Sequence, residues 1–329
     1  MACCATATII LAGCGSSSTD SAGKAAKGEI SLYTSQPESD AQKLIAAFNK
    51  KYPDVKIKLF RSGTEEVVSK VMAEKKMGKI QADLLLVSDA ATFEQLKKQD
   101  VMAVYESPEA ADIPAALKDA DHTYVGTKVL ATGIMYNTNL IKTAPASFMD
   151  LTTQPYKDQS IMPSPLYSGA AAYNLSLLTR TPGLGWEFYQ ALKADGIKVD
   201  KGNGSVLKAV SEGNKGCGII VDYMALRAKA KGAPVAFVYP SEGVPVITEP
   251  IGIIKGSANE KLARLFEDFI LSEDGQKVTA DIGYTPIRQG VAVPAGFKAI
   301  DELKILTADL GQLVENREAD KQQFTALFS

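Results

Sequence analysis

From about residue 29 onward the chain switches between two hydrophobic rhythms. Glu29 to Gln36 alternates apolar and polar positions, which predicts a strand ending in the hydrogen-bonding groups Ser35 and Gln36. Ala41, Leu44, Ile45, Ala47 and Phe48 then recur at helical spacing until Tyr52-Pro53 stops the pattern. Val55 to Phe60 alternates again as a second strand. Ser62-Gly63-Thr64-Glu65 reads as a capping box, with Ser62 as N-cap and Glu65 reaching back, starting a helix over 65–76 whose amino terminus also suits an anion. Ala82 to Asp89 is a third strand, continuously apolar in its middle as buried parallel strands are, and it ends in Ser88 and Asp89.

The pattern continues with strands over 102–105 and 129–136, and then with a loop-rich interval around Pro145 and Pro155. Residues 171–178 are helical, so Ser168 stands at a helix start with the amide groups of Gly169 and Ala170 beside it. Those groups can seat an anion, or Ser168 can serve as a plain N-cap, and the residues alone fit both. Trp186, Phe188, Tyr189 and Leu192 form one apolar helical face, and Asn203 leads from a glycine-rich loop into a further helix. Gly216 to Val221 is a short apolar strand followed by a helix that Gly232 and Pro234 end. Asp222 and Tyr223 therefore fall at a strand's carboxyl end, where open α/β sheets bind ligands. Asp222 can equally cap that helix. Pro234 to Pro240 reads as a strand followed by Ser241-Glu242-Gly243, 251–254 as a return strand, and 262–271, 272–281 and 305–328 as helices. No period of a repeat protein is present.

A length of 329 residues with 46% hydrophobic content suggests two domains. With 36 basic and 38 acidic residues there is no basic face for nucleic acid. The single histidine, His122, sits in a polar stretch and reads as a surface residue, leaving little material for a Ser-His-Asp triad or a multi-histidine metal site. Cys217, between two glycines at a strand edge, reads as a small buried hydrophobe.

At the amino terminus, Leu11-Ala12-Gly13-Cys14 followed by a Gly/Ser tether resembles the end of a bacterial lipoprotein signal, in which the cysteine receives lipid. No Lys or Arg precedes Cys14, which suggests a start upstream of Met1. The expectation is residues 1–27 as signal and tether, and a body held outside the cytoplasm at a membrane by lipid on Cys14.

From about Gly28 onward the order of motifs resembles the type II periplasmic solute-binding proteins of ABC importers, in particular the ferric-ion-binding family and its relatives. The motifs are Tyr33-Thr34-Ser35-Gln36, Ala82-Asp83 before Ser88-Asp89, Tyr136-Asn137-Thr138, Ser168-Gly169-Ala170, Asn203, Tyr223 and Tyr284-Thr285-Pro286-Ile287-Arg288. The resemblance implies an α/β, two-lobed type II fold, each lobe a mixed, mostly parallel sheet flanked by helices, with the ligand cleft at the hinge. Lobe 1 is expected over 28–128 plus 252–304, and lobe 2 over 129–251 plus 305–329. In the ferric binders a histidine near the first strand tip, an acidic residue after the third strand and two adjacent tyrosines hold the metal. Here Pro37, Asp89 and Asp222-Tyr223 stand at those places, while the family's anion seat is matched by Ser168, Gly169, Ala170 and Asn203.

A site that keeps its anion seat and gains Asp222 and Glu242 implies an organic ligand with an anionic head and a donor tail, such as 2-aminoethylphosphonate or a sugar phosphate. The expected ligand set is Ser35, Gln36, Ser62, Gly63, Thr64, Ser88, Asp89, Ser168, Gly169, Ala170, Asn203, Asp222, Tyr223 and Glu242. The expected partners are an importer permease and a membrane, with no cofactor and a monomeric, non-enzymatic protein. The alternative is a ferric binder using Asp89, Asp222, Tyr223 and a synergistic anion. A phosphoesterase is more remote, for want of a nucleophile-base pair or a dinuclear metal cluster.

Overall fold

Two separate sheets organise residues 26–329, the part of the chain that the computed structural model describes; Cys14 lies outside the described residues. In chain order the strands are β1 (Gly28–Thr34), β2 (Val55–Arg61), β3 (Leu84–Leu86), β4 (Leu130–Asn137), β5 (Ser160–Pro163), β6 (Lys198–Asp200), β7 (Cys217–Val221), β8 (Val235–Val238), β9 (Val246–Ile247) and β10 (Ile251–Ile253). The α-helices are α1 (Glu38–Lys51), α2 (Thr64–Lys76), α3 (Ala90–Lys98), α4 (Gly169–Leu178), α5 (Gly185–Ala194), α6 (Asn203–Ser211), α7 (Asp222–Ala230), α8 (Glu260–Leu271), α9 (Glu273–Ile282) and α10 (Leu310–Phe328).

The first sheet has the order β10-β3-β1-β2, with β1 parallel to both neighbours and β10 antiparallel to β3. The second runs β6-β5-β7-β4-β8; β5 is parallel to β6 and β7, while β4 is antiparallel to β7, β8 and the short β9. Each sheet is covered by amphipathic helices. On the first, Phe48 of α1 meets Phe266 of α8 at a centroid distance of 5.1 Å. On the second, Phe188 of α5 packs within a cluster that includes Phe148, Leu175 and Phe324. Acidic residues open α1 and lysines close it, matching the helix dipole.

The chain crosses between the sheets along two adjacent segments. The amides of Thr127 and Lys128 both donate to the carbonyl of Thr248, at 2.9 and 3.2 Å. Close by, Val125 bridges to Ile251 and Val129 to Thr285. These crossings form the hinge floor between two lobes.

Several boundaries differ from the sequence expectation for identifiable reasons. The capping box at Ser62 does not form: α2 starts at Thr64 behind Gly63, the Ser62 hydroxyl donates to Glu66, and Glu65 is drawn away to Arg317 and Lys321. The third strand keeps only three residues in the sheet, because the chain turns at Asp89 (φ 74°) to enter α3. The last helix begins at Leu310, where the Asp309 carboxylate accepts from the Gln312 amide at 2.9 Å, while Ile305 is held extended by bridging to Val244. This helix, expected within lobe 2, spans both lobes. Its Val314 carbonyl accepts from Gln95 of α3 at 3.3 Å, and its Phe324 packs edge-on against Tyr189 of α5 at 6.2 Å.

Candidate functional site

A cavity of about 310 Å³ lies between the two lobes, above the crossing segments. It is built where helices start at the carboxyl ends of strands. The first turns of α2, α4, α6 and α7 all face it through Thr64, Gly169 and Ala170, Asn203 and Gly204, and Tyr223. The leading amides of a helix have no intrahelical acceptor, so each start brings N–H groups and a partial positive charge to the cavity, although the Glu65, Ala171 and Tyr223 amides are taken by Tyr167, Ser168 and Asp222.

Ser168 is the N-cap of α4 and also lines the cavity. Its hydroxyl oxygen accepts from the Ala171 amide at 3.3 Å, which caps α4, and also from the Asn203 side-chain amide at 3.2 Å. With its acceptor positions used, the hydroxyl proton is the part left to point at an anion. Asn203 is fixed in turn, its carbonyl oxygen accepting from the Val221 amide at 3.3 Å. On the opposite wall the Ser88 amide donates to the hydroxyl oxygens of both Ser35 (3.2 Å) and Thr64 (3.3 Å). That contact gathers Ser35, Thr64 and Ser88 at the cavity.

The lobes touch at its rim. The Glu65 amide donates to the Tyr167 carbonyl at 3.4 Å. A Cβ on Gly63 would stand 2.5 Å from that same carbonyl oxygen, and one on Gly169 would stand 2.7 Å from the Thr64 hydroxyl. Glycine at both positions is what permits this approach.

Two cations face the cavity that the sequence reading passed over. Arg61, at the tip of β2, donates through Nε to the Gln36 carbonyl (3.2 Å), through Nη2 to the Ser35 carbonyl (3.3 Å) and through Nη1 to the Tyr167 hydroxyl (3.3 Å), so carbonyls and a phenol hold it in place. Lys201 stands 4.4 Å over the Tyr167 ring and 3.5 Å from Glu66. Both could have been found by the strand-tip rule that selected Ser35, since Arg61 ends a strand and Lys201 immediately precedes the Gly202-Asn203 helix start. Glu249 also lines the cavity, as do Leu130, Pro37 and Met224, and nothing in the local pattern marks it.

Of the residues expected at the site, Ser35, Gly63, Thr64, Ser88, Ser168, Gly169, Ala170, Asn203 and Tyr223 line this cavity, and five others do not. Asp89 is fully buried as the N-cap of α3; its carboxylate accepts from the Thr92 amide at 2.8 Å and from Arg317 at 3.1 and 3.4 Å. Asp222 is buried behind the wall. It is the first helical residue rather than the cap, and its Oδ1 accepts from the amides of Ala131 (3.2 Å) and Tyr223 (2.8 Å). Burial pushes its carboxyl up to about 7. Glu242 lies on a loop outside the cavity, accepting from the Met149 amide at 3.3 Å. Ser62 is turned to Glu66, and the Gln36 side chain is buried with no hydrogen-bond partner among the described residues. Asp89, Asp222 and Glu242 share one reason for leaving the site: each is claimed by protein donors that only the folded chain brings near.

The proposed metal set is split in the same way. Of Asp89, Asp222 and Tyr223, only Tyr223 reaches the cavity. Its phenol is buried against Tyr284 (4.5 Å) under Arg227, and burial raises its pKa, which opposes a tyrosinate. Among the described residues no group of three or more His, Cys, Asp or Glu side chains is placed to hold a metal ion. His122 is exposed, and Cys217 is buried with its thiol pushed up to about 11 by burial. No helix among the described residues is long and apolar enough to cross a membrane.

A family model described as bacterial extracellular solute-binding protein matches residues 43–304. A probable ABC transporter periplasmic-binding protein of Sinorhizobium fredii is 28% identical over 244 residues, covering 70% of this chain and 67% of that protein. Among solved structures, the periplasmic binding protein AfuA from Actinobacillus pleuropneumoniae, with exogenous fructose-6-phosphate bound, aligns with a TM-score of 0.85 at 22% identity, covering 92% of this chain and 99% of that one. Iron-bound HitA from Pseudomonas aeruginosa aligns with a TM-score of 0.80 at 21% identity, covering 90% and 99% of the two chains. These structural likenesses carry the two-lobed α/β fold.

Proposed function

The chain belongs to the bacterial extracellular solute-binding proteins and is a solute-binding component of an ABC importer; on that premise we propose that its cargo is a small phosphate ester or phosphonate, taken between the lobes as they close. Sugar phosphates and 2-aminoethylphosphonate are ligands of this kind. The observation that carries this reading is the convergence of four helix starts, the hydroxyls of Ser35, Thr64, Ser88 and Ser168, and Arg61 on one cavity. Arg61 takes carbonyl and phenol acceptors but forms no ion pair with a carboxylate among the described residues. A cation held by neutral groups beside helix amino termini is suited to a dianionic head.

AfuA, with a sugar phosphate bound, supports this choice, whereas HitA binds iron. The iron reading loses its acidic ligands here, since Asp89 is paired with Arg317 and Asp222 with backbone amides. Delivery to a permease, a monomeric state and a lipid anchor at Cys14 complete the proposal.

A micromolar ligand needs about 8 kcal/mol of net binding free energy, within reach of several charge-assisted bonds in a closed cleft. Isothermal titration with glucose 6-phosphate, 2-aminoethylphosphonate and inorganic phosphate tests it. At least one phosphorus compound binds at micromolar level, and Arg61→Gln weakens it by about 1.5–3 kcal/mol, tenfold or more, through loss of a charged donor. Absence of heat from all three compounds rejects the reading.

A further inference from the structure

The cavity holds one carboxylate whose charge is already answered by the protein. Glu249 lines it, yet is only 4% exposed, and Lys128 Nζ stands 2.5 Å from its Oε2 with both side chains buried. The two residues sit on the two crossing segments of the hinge. Thr127 beside Lys128 donates its hydroxyl to the Glu249 carbonyl at 2.7 Å, and the Lys128 ammonium lies 5.1 Å over the Tyr284 ring. Glu249 is held at φ 39°, a left-handed conformation that a non-glycine residue adopts only where its surroundings impose it. Oε2 is buried and faces only that ammonium, whereas Oε1 is not among the buried atoms and takes no hydrogen bond from the described residues, so Oε1 is the oxygen that can accept from a ligand.

We propose that Glu249 is the acceptor for the uncharged end of the ligand, and that Lys128, by neutralising it, makes this site select phosphate esters with hydroxyl-bearing tails over zwitterionic aminophosphonates. This rests on the reading of the cavity as a phosphate or phosphonate site and narrows the ligand class. The cavity then carries Arg61 and Lys201 for the anionic head, and at the hinge floor an ion pair of zero net charge. An ammonium tail reaching Glu249 meets a second ammonium on the same carboxylate, in a site where charges are weakly screened. A hydroxyl tail donates to Oε1 of the same carboxylate with no such repulsion. The pair also joins the two crossing strands, which places the tail contact on the element about which the lobes turn.

The test is titration of glucose 6-phosphate and 2-aminoethylphosphonate into the full protein and into Glu249→Gln, Lys128→Met and Lys128→Arg. The unaltered protein is expected to bind glucose 6-phosphate at least tenfold more tightly than 2-aminoethylphosphonate. Glu249→Gln is expected to weaken glucose 6-phosphate tenfold or more. Lys128→Met, which bares the carboxylate, is expected to shift the preference at least tenfold toward the ammonium ligand, and Lys128→Arg to keep it. Equal or tighter binding of 2-aminoethylphosphonate by the unaltered protein overturns the inference whether or not the variants fold. An unchanged preference in folded Lys128→Met overturns it as well. Binding of inorganic phosphate without either organic ligand overturns it while leaving the anion seat standing, whereas no binding of any of the three overturns the site reading beneath it.

Discussion

Arg317 is the residue whose loss should be felt most widely. From the middle of α10 its guanidinium, 2% exposed, reaches into lobe 1 and donates to Glu65 at 2.8 Å, to Asp89 at 3.1 and 3.4 Å and to the Thr92 hydroxyl at 3.2 Å. Glu65 and Asp89 directly follow Thr64 and Ser88, so one buried cation sets two corners of the cavity. One turn later, Asp320 accepts from Arg180 at 2.7 and 3.2 Å and from the Ser176 hydroxyl at 2.7 Å, fastening the same helix to α4 of lobe 2. Replacing Arg317 by Met leaves the buried Asp89 carboxylate without a cation, while Glu65 keeps Lys321 at 2.7 Å. Breaking a buried pair in this way costs about 3–5 kcal/mol. Burial already pushes the Asp89 carboxyl up against the pull of Arg317, so without the arginine it takes up a proton, which limits the loss. At about 2–4 °C per kcal/mol, the melting temperature should fall on the order of 10 °C. Differential scanning calorimetry at pH 7 measures this, with glucose 6-phosphate titration as the second readout. Adding Asp89→Asn to Arg317→Met should restore much of the stability, since Glu65 keeps Lys321 and no uncompensated carboxylate remains. A melting temperature within about 2 °C of the unaltered protein in folded Arg317→Met would refute the reasoning.

Two further outcomes are expected. Asp222 has its carboxyl raised to about 7 by burial, above its unfolded value, so the folded state holds the extra proton and stability falls as pH rises from about 4 through 7. Asp222→Asn keeps an oxygen for the amides of Ala131 and Tyr223 while removing the titration, and should flatten that part of the stability curve in denaturant melts at pH 5, 6, 7 and 8; parallel curves for the two proteins would count against it. Gly63→Ala places a Cβ 2.5 Å from the Tyr167 carbonyl oxygen, so the rim contact between lobes cannot close as it stands. Ligand affinity should drop tenfold or more with little change in melting temperature, and full retention of affinity would show that closure does not pass through this contact.

The repeated strand-then-helix pattern, the helix starts at Ser168 and Asn203, and the hydroxyls at the tips of β1 and β3 were legible in the sequence because each depends on neighbours within a few residues. Hydrophobic period sets which face of an element is buried, and a serine before a glycine-alanine run offers its amides wherever the helix lies. The same local logic, pushed one residue further along β2, would have included Arg61.

Which acidic residues remain available to a ligand was a tertiary matter. Asp89 looked free until Arg317 arrived from 228 positions along the chain, and Asp222 until the Ala131 amide came from 91 positions away. Glu249 had no local signal at all, yet the crossing of two hinge segments puts it on the cavity floor with Lys128 against it. A carboxylate's chemistry follows from the charges and donors within a few ångströms, and those are supplied by chain segments whose proximity only the fold creates. The sequence by itself thus determined the architecture and the helix starts and hydroxyls that line one part of the cavity. Tertiary structure decided which charged side chains border the rest of the cavity, because their partners come from distant segments of the chain.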